Sequence, residues 1–399
     1  MNSLSLRVFS SYLFVICVFF PWVSFRTNSM DTQPWAFICS LVFLLSCLDL
    51  KVSKTIYVVW FIPVVACSLF FIDHNGDASL FIRGFFSYLF FVSVFVASYY
   101  LFRFCPFPLK FLVFINLLYL IVGIIQMSLG PYVFDFLAPV RTTESRGVTS
   151  LAVEPTNFGL TLLVFSWIYY IYHDYKLNNT YQILVLSNFL GVLFVAQSSL
   201  AICFVLLAIF MFIIYKVSVK TFFYTLIISS LGLFGTDFLI YHYPEARMSK
   251  LFNILSDIGF LELLLRDASF NYRVSSLIFP YQGFVENIFM PGGFTSFELM
   301  AQDLMFNSYG LFWYGEHAKI MSFIGAFIYE LGFVGFIFLM CYFFCIHNKF
   351  QRYRSALESL FLFLLLNMAV PIASPIIAFL LSFILYRRND GYVFNNKLN

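Results

Sequence analysis

The stretch LFIRGFFSYLFFVSVFVASYYLF, residues 80–102, decides the fold. Its one charge is Arg83, near the start. As an α-helix it is roughly 35 Å long, enough to cross the hydrocarbon core of a bilayer. Comparable apolar runs, separated by short polar breaks, occupy residues 8–25, 34–50, 55–72, 108–129, 155–172, 180–196, 199–215, 221–240, 319–346, 356–369 and 371–386. The expected fold is therefore an all-α polytopic membrane bundle of about twelve transmembrane helices, read as one integral membrane domain over 1–399. The last two runs are parted by Pro371 and can also be read as a re-entrant hairpin. The run 319–346 is long enough to begin as a protruding helix.

Composition agrees. The 399 residues are 61% hydrophobic and 11% charged, with 57 Phe and 25 Tyr. A soluble domain carries roughly a quarter charged residues, so the solvent of this chain is mostly lipid. A net charge of +3 gives no basis for a nucleic-acid partner. Seven of the 8 Cys lie in apolar runs and Cys105 in a short break; none has metal-like spacing. Neither long polar segment contains a cysteine, so no disulfide framework is implied. Residues 8–25 run into Phe25-Arg26-Thr27 rather than a small-residue cleavage site, so the first run is expected to stay as a helix.

Charge in the breaks sets the orientation. Lys51 and Lys54, Arg103 and Lys110, Lys176, Lys216 and Lys220, Lys349 to Arg354, and Arg387 with Arg388 fall on one side at alternate crossings. The opposite short breaks hold almost no basic residue except Arg26. Both termini are expected to be cytoplasmic. Two long loops, 130–154 and 241–318, then face outward. Within the second, residues 251–266 have helical periodicity, which predicts a short amphipathic helix at the membrane surface.

Both loops carry arginine: Arg141 and Arg146 in the first, Arg247, Arg266 and Arg273 in the second. Arg83 lies near the outer end of its helix. Guanidinium groups suit phosphate oxygens bidentately; the plain alternative is a solvated loop or headgroup contact. A charge at membrane depth is costly and marks a candidate site. Acidic neighbours, including Glu245, Asp267 and Glu286, could neutralise some arginines of the second loop.

The run TTESRGVTSLAVEPTNFG, residues 142–159, gathers Arg146, Glu154 and Asn157 just before an apolar helix. Pro155 suits the first turn of that helix, which puts Glu154 at its N-terminus, favoured by the dipole. Glu154 can cap, pair with an arginine or bind sugar hydroxyls. His317 stands at the mouth of the 319–346 run. It is either a solvated loop histidine or a group able to take a proton from a hydroxyl. No Asp-x-Asp or His cluster suggests a metal.

These segments resemble the O-antigen polymerase and ligase superfamily, most closely its Wzy-type polysaccharide polymerases. The resemblance lies in Arg146-Gly147 with Glu154-Pro155, in Gln197-Ser198-Ser199-Leu200-Ala201, in Glu316-His317 with Glu330-Leu331-Gly332-Phe333-Val334-Gly335, and in the plan of many helices with a large outward loop. The motifs are short; the plan covers nearly the whole chain. The resemblance implies a metal-independent glycosyltransferase without cofactor in the bacterial inner membrane, active at the periplasmic face. Its donor and acceptor would be glycans on undecaprenyl pyrophosphate. Arg247, Arg266 and Arg273 would stabilise the departing pyrophosphate, helped by Arg146 and Arg83, with Arg141 a weaker candidate. His317 would activate the acceptor hydroxyl, and Glu154 would fix an arginine or contact sugar. Tyr281, Trp313 and Tyr314 could stack on sugar rings. A chain-length regulator is a possible protein partner. The alternatives are an O-antigen ligase acting on lipid A core and a flippase for the lipid-linked repeat. A flippase would place charge along its helices, and here charge gathers in the loops.

Overall fold

Apolar runs with few charges fold as helices because only a helix satisfies every backbone N–H and C=O within its own segment. The computed structural model describes residues 3–24, 32–50, 54–69, 78–142, 146–215, 241–242, 249, 253, 256, 259–315, 319–347, 352–368 and 370–389. Among them, all regular secondary structure is helical. In chain order the helices are α1 (Ser3–Phe19), α2 (Trp35–Leu45), α3 (Lys54–Val59), α4 (Phe61–Ser68), α5 (Ala78–Phe104), α6 (Leu109–Leu129), α7 (Pro155–Tyr172), α8 (Asn179–Leu190) and α9 (Ser199–Tyr215). After these come α10 (Phe260–Arg266), α11 (Ala268–Glu286), α12 (Phe297–Asn307), α13 (Phe323–Glu330), α14 (Gly332–Ile346), α15 (Arg352–Met368) and α16 (Pro375–Asn389). A π-helical turn, Gly191–Ala196, extends α8.

Among the described residues, three helical segments are long and apolar enough to cross a membrane: Ala78–Phe104, Leu109–Leu129 and the continuous Asn179–Ala196. Shorter apolar helices include Leu6–Phe19, Trp35–Leu45, Ser199–Tyr215 and Gly332–Ile346. The expected run 221–240 lies outside the described residues.

Several expected runs are divided. The 55–72 run breaks at Trp60, so that Pro63 falls in the first turn of α4, where a missing N–H costs nothing. The 319–346 run breaks between α13 and α14 at Leu331, and Gly332 there has φ +61°, open to glycine but strained for other residues. The 371–386 run begins its helix at Pro375, four residues late, with proline again in the first turn. In the second long loop the expected 251–266 helix is described as α10 from Phe260 onward. That loop also folds α11 and α12, more helix than its mixed composition predicts. Asp267 starts α11, its Oδ1 accepting the Phe270 N–H at 2.7 Å.

The chain divides into two compact units: residues 1–61, 89–206 and 373–399, and residues 62–88 and 207–372. The first unit is cored by rings. Phe102 lies within 4.9 Å of Phe379 and 5.1 Å of Phe383, while Phe19 stacks on Phe165 at 4.8 Å. The fully buried Tyr119 donates its hydroxyl to the Phe19 carbonyl at 2.6 Å, joining α6 to the end of α1. In the second unit α13 is almost wholly buried between α11 and α15, with Phe327 stacked on Phe323 at 5.0 Å.

Candidate functional site

Polar chemistry gathers in two places, one in each unit. In the first unit it is the segment leading into α7. Gly147 lies so close to the carbonyl of Ala196 that any side chain there would overlap it. The Val148 N–H donates to the Val195 carbonyl at 3.1 Å, and Thr142 donates its hydroxyl to the Gly147 carbonyl at 2.9 Å. Ser150, in a left-handed conformation at φ +54°, is locked by the buried Gln126 amide. Its N–H donates to Gln126 Oε1 at 2.6 Å, and its carbonyl accepts from Gln126 Nε2 at 3.2 Å. The Ser150 hydroxyl donates to the Tyr119 carbonyl at 2.7 Å. A segment whose backbone is satisfied this fully is a rigid platform.

Arg146 is exposed at the start of this platform, and Arg141 is exposed beside it, its N–H on the Val153 carbonyl at 2.8 Å. Glu154 occupies the N-cap position of α7 with Pro155 at the first helical position, as the sequence predicts. Its half-buried carboxylate makes no capping hydrogen bond. One residue into α7, Thr156 shares a 2.9 Å hydrogen bond with Ser198, which follows the left-handed Gln197 closing the π turn. The packing therefore brings the Arg146–Glu154 motif and the Gln197-Ser198-Ser199 turn together.

In the second unit the cluster sits at the α13–α14 break. Residues 289–293 lie along it like a clasp. Gly292 N–H donates to the Tyr329 carbonyl at 2.8 Å, Gly293 N–H to the Glu330 carbonyl at 3.3 Å, and Phe333 N–H to the Phe289 carbonyl at 2.9 Å. Ser296 shares a 2.8 Å hydrogen bond with the Tyr329 hydroxyl. Phe294 fills the space left by Gly84 on α5 and lies 5.8 Å from the ring of Tyr88. Tyr88, fully buried, donates its hydroxyl to Glu330 Oε2 at 2.7 Å. The exposed Arg83, five residues earlier on α5, interacts electrostatically with the same carboxylate. Arg83 was legible as a candidate; Tyr88 was not, and Glu330 was legible only as part of the Glu330–Gly335 pattern, without a role of its own. The signal for Glu330 was a lone carboxylate inside the apolar 319–346 run, beside Gly332 and Gly335.

The other candidates are spread through the second unit. Arg266 is exposed and pairs with Glu262 one turn earlier on α10, at 2.9 Å. Arg273 is half-buried on α11. Two of the acidic neighbours named from the sequence have other contacts: Asp267 caps α11, and Glu286 accepts from Gln282 at 3.0 Å. Buried Asn271 ties residues 311–314 onto α11. Its Nδ2 donates to the carbonyls of Leu264 and Leu311, and its Oδ1 accepts the N–H groups of Trp313 and Tyr314 at 3.2 and 3.3 Å. Trp313 and Tyr314 stay exposed, while Tyr281 spends its hydroxyl on Asn367 at 2.7 Å. Arg247 and His317 themselves lie outside the described residues. Among the described residues no group of three or more His, Cys, Asp or Glu could hold a metal ion.

No protein-family model matches the chain, and a comparison with curated proteins gives no match.

Proposed function

We propose that the chain is a polysaccharide polymerase of the inner membrane, joining undecaprenyl-pyrophosphate-linked oligosaccharide repeats into O-antigen or capsular polysaccharide at the periplasmic face. In this reading the acceptor hydroxyl attacks the anomeric carbon of the donor glycan. The new glycosidic C–O bond forms as the bond to the pyrophosphate oxygen breaks. His317 takes the hydroxyl proton, and arginines stabilise the charge that develops on the leaving pyrophosphate. Arg146, Arg247, Arg266, Arg273 and Arg83 are the candidates for that role, with Glu154 fixing an arginine or contacting sugar.

The observation that carries the reading is the packing of residues 146–156 against residues 195–198. Two of the segments that resemble these polymerases, far apart in sequence, are brought together by the Val148 N–H on the Val195 carbonyl and, at the start of α7, by the hydrogen bond between Thr156 and Ser198. Strongly apolar helices capable of spanning a membrane are consistent with a lipid-linked substrate.

Deleting the gene and resolving the surface glycan on a gel tests the reading. Glycan stopped at a single repeat is the expected result. Glycan-free core with accumulated lipid-linked polymer would make the chain a ligase instead, and an unchanged ladder would sink both. His317→Ala and Arg273→Ala, expressed at wild-type level, should each abolish polymer, and Arg273→Lys should restore it only in part because the planar fork is lost.

A further inference from the structure

Neither long loop carries a cysteine, but the packing of α1 against α2 brings together two cysteines from outside the loops. The two helices run antiparallel, and their side-chain contacts keep one register. Arg7 donates from Nε to the Ser46 carbonyl at 2.8 Å and pairs with Asp49. Ser10 shares a 3.4 Å hydrogen bond with Ser46, and Phe14 stacks on Phe43 at 5.9 Å. The series then reaches Cys17 and Cys39, whose Sγ atoms are 3.3 Å apart. Beyond them the Gln33 N–H closes the connection on the Pro21 carbonyl at 2.7 Å. The pair is thus pinned on both sides, and both thiols are half-buried rather than sealed in. A disulfide needs an S–S distance of about 2.04 Å, so a shift of about 1.3 Å shared between the two side chains joins them. Cys341 and Cys345, four positions apart on α14, instead have the roughly 5–6 Å Cβ spacing of helical neighbours, wider than a disulfide spans.

We propose that Cys17 and Cys39 form a modification site, a dithiol that a disulfide-bearing oxidant of the periplasm converts into an α1–α2 disulfide. One thiol loses its proton, and its thiolate attacks a sulfur of the oxidant's disulfide, giving a mixed disulfide and releasing one oxidant thiolate. The second cysteine's thiolate then attacks the first cysteine's sulfur in that mixed disulfide. The Cys17–Cys39 S–S bond forms, the oxidant's other sulfur leaves, and two electrons and two protons end on the oxidant as a dithiol. The pair lies at the end of the hairpin away from the N-terminus, the periplasmic end in the orientation expected from the short breaks. The choice of oxidant rests on that orientation; the pairing rests on geometry alone. The bond has a use in this fold. Cys17 is two residues before Phe19, whose carbonyl accepts the Tyr119 hydroxyl, and the Tyr119 carbonyl accepts the Ser150 hydroxyl. Fixing α1 to α2 there braces the support of the platform that leads into α7.

The test uses the full chain purified in detergent. Trypsin cuts after Arg7, Arg26 and Lys51, so a Cys17–Cys39 bond holds peptides 8–26 and 27–51 together. Folded, reduced wild type treated with oxidised glutathione should yield that linked pair, lighter by two hydrogens than the separate peptides. It should also melt about 3 °C higher than before oxidation. Cys17→Ser and Cys39→Ser should each abolish the link and the shift, while Cys341→Ser should change neither. Protein trapped with acid and alkylated straight from cells should carry the link, and cells lacking their periplasmic dithiol oxidant should yield it reduced. No linked peptide after oxidation of the folded protein overturns the pairing, and an unchanged melting temperature in the linked protein overturns the brace. Both thiols alkylated in protein from wild-type cells, or equal linkage in the two strains, overturns periplasmic oxidation. The glycosyl-transfer reading stands or falls separately, on the gel of the surface glycan.

Discussion

The two polar clusters use opposite means to keep charge beside an apolar interior. In the first unit, backbone does the holding: Gly147 and Val148 lie on Val195 and Ala196, Gln126 locks Ser150, and the charged groups Arg146 and Glu154 stay at the rim. In the second unit the charge goes inward, and the Glu330 carboxylate accepts a hydrogen bond from the buried Tyr88 hydroxyl. A rim charge keeps its water and asks little of its neighbours. An inward carboxylate needs partners at fixed places, which only a rigid helix break and a backbone clasp provide.

Glycine is what both clusters share, and it offers the strongest way to break the comparison. Gly147 faces the Ala196 carbonyl and Gly335 faces the Phe327 carbonyl, each with no room for a β-carbon. Gly147→Ala and Gly335→Ala should each cost about 3 kcal/mol, the upper range for overpacking, read as melting temperature in detergent and as folded yield. A large loss in one and none in the other would mean that only one of the two clusters packs as described. The next largest effect is confined to the first unit. Gln126→Leu removes both hydrogen bonds to Ser150 and leaves buried backbone groups unpaired, which should cost about 2 kcal/mol and loosen Arg146 without touching Arg83 or Glu330.

A smaller effect distinguishes the two ends of α7. Burial pushes the His173 imidazole below its ordinary value; the neighbouring Asp174 opposes the shift and Arg387 adds to it. Its Nε2 has no hydrogen-bond partner among the described residues. Because the folded state disfavours the protonated ring, the unfolded chain binds more protons below the ordinary histidine range near 6.5, and stability falls as pH drops through it. His173→Gln should flatten that part of the pH–melting curve; an unchanged slope would place the titrating group elsewhere. The smallest effect expected is on stability at Arg266. Its pair with Glu262 is exposed, so Arg266→Ala should shift stability by less than about 0.5 kcal/mol. A loss of polymer in a variant that melts like wild type would assign Arg266 to the site rather than to the fold.

Much of the helical plan was legible because apolar run length is a local property. Residues 108–129, 155–172 and 199–215 become α6, α7 and α9 with almost the same bounds. The helices of the 260–307 segment were harder to read, since α11 mixes polar and apolar residues and carries Pro280 inside it. Glu154 at the start of α7 followed from Pro155, whereas the absence of its capping bond did not. The arginines stood out by type and place, but which of them meets a carboxylate did not.

By itself the sequence determined the helices and the apolar medium they suit, because a helix closes its hydrogen bonds within a few residues and a long run with few charges is at ease in lipid. Tertiary structure alone decided that Gly147 docks on Ala196 and that Tyr88 reaches Glu330 across 242 positions of chain. Such pairings depend on which helix faces which, on breaks such as Gly332 that turn a segment back, and on gaps such as Gly84 that let a ring in. The chain shows these features only as isolated glycines and a lone acid.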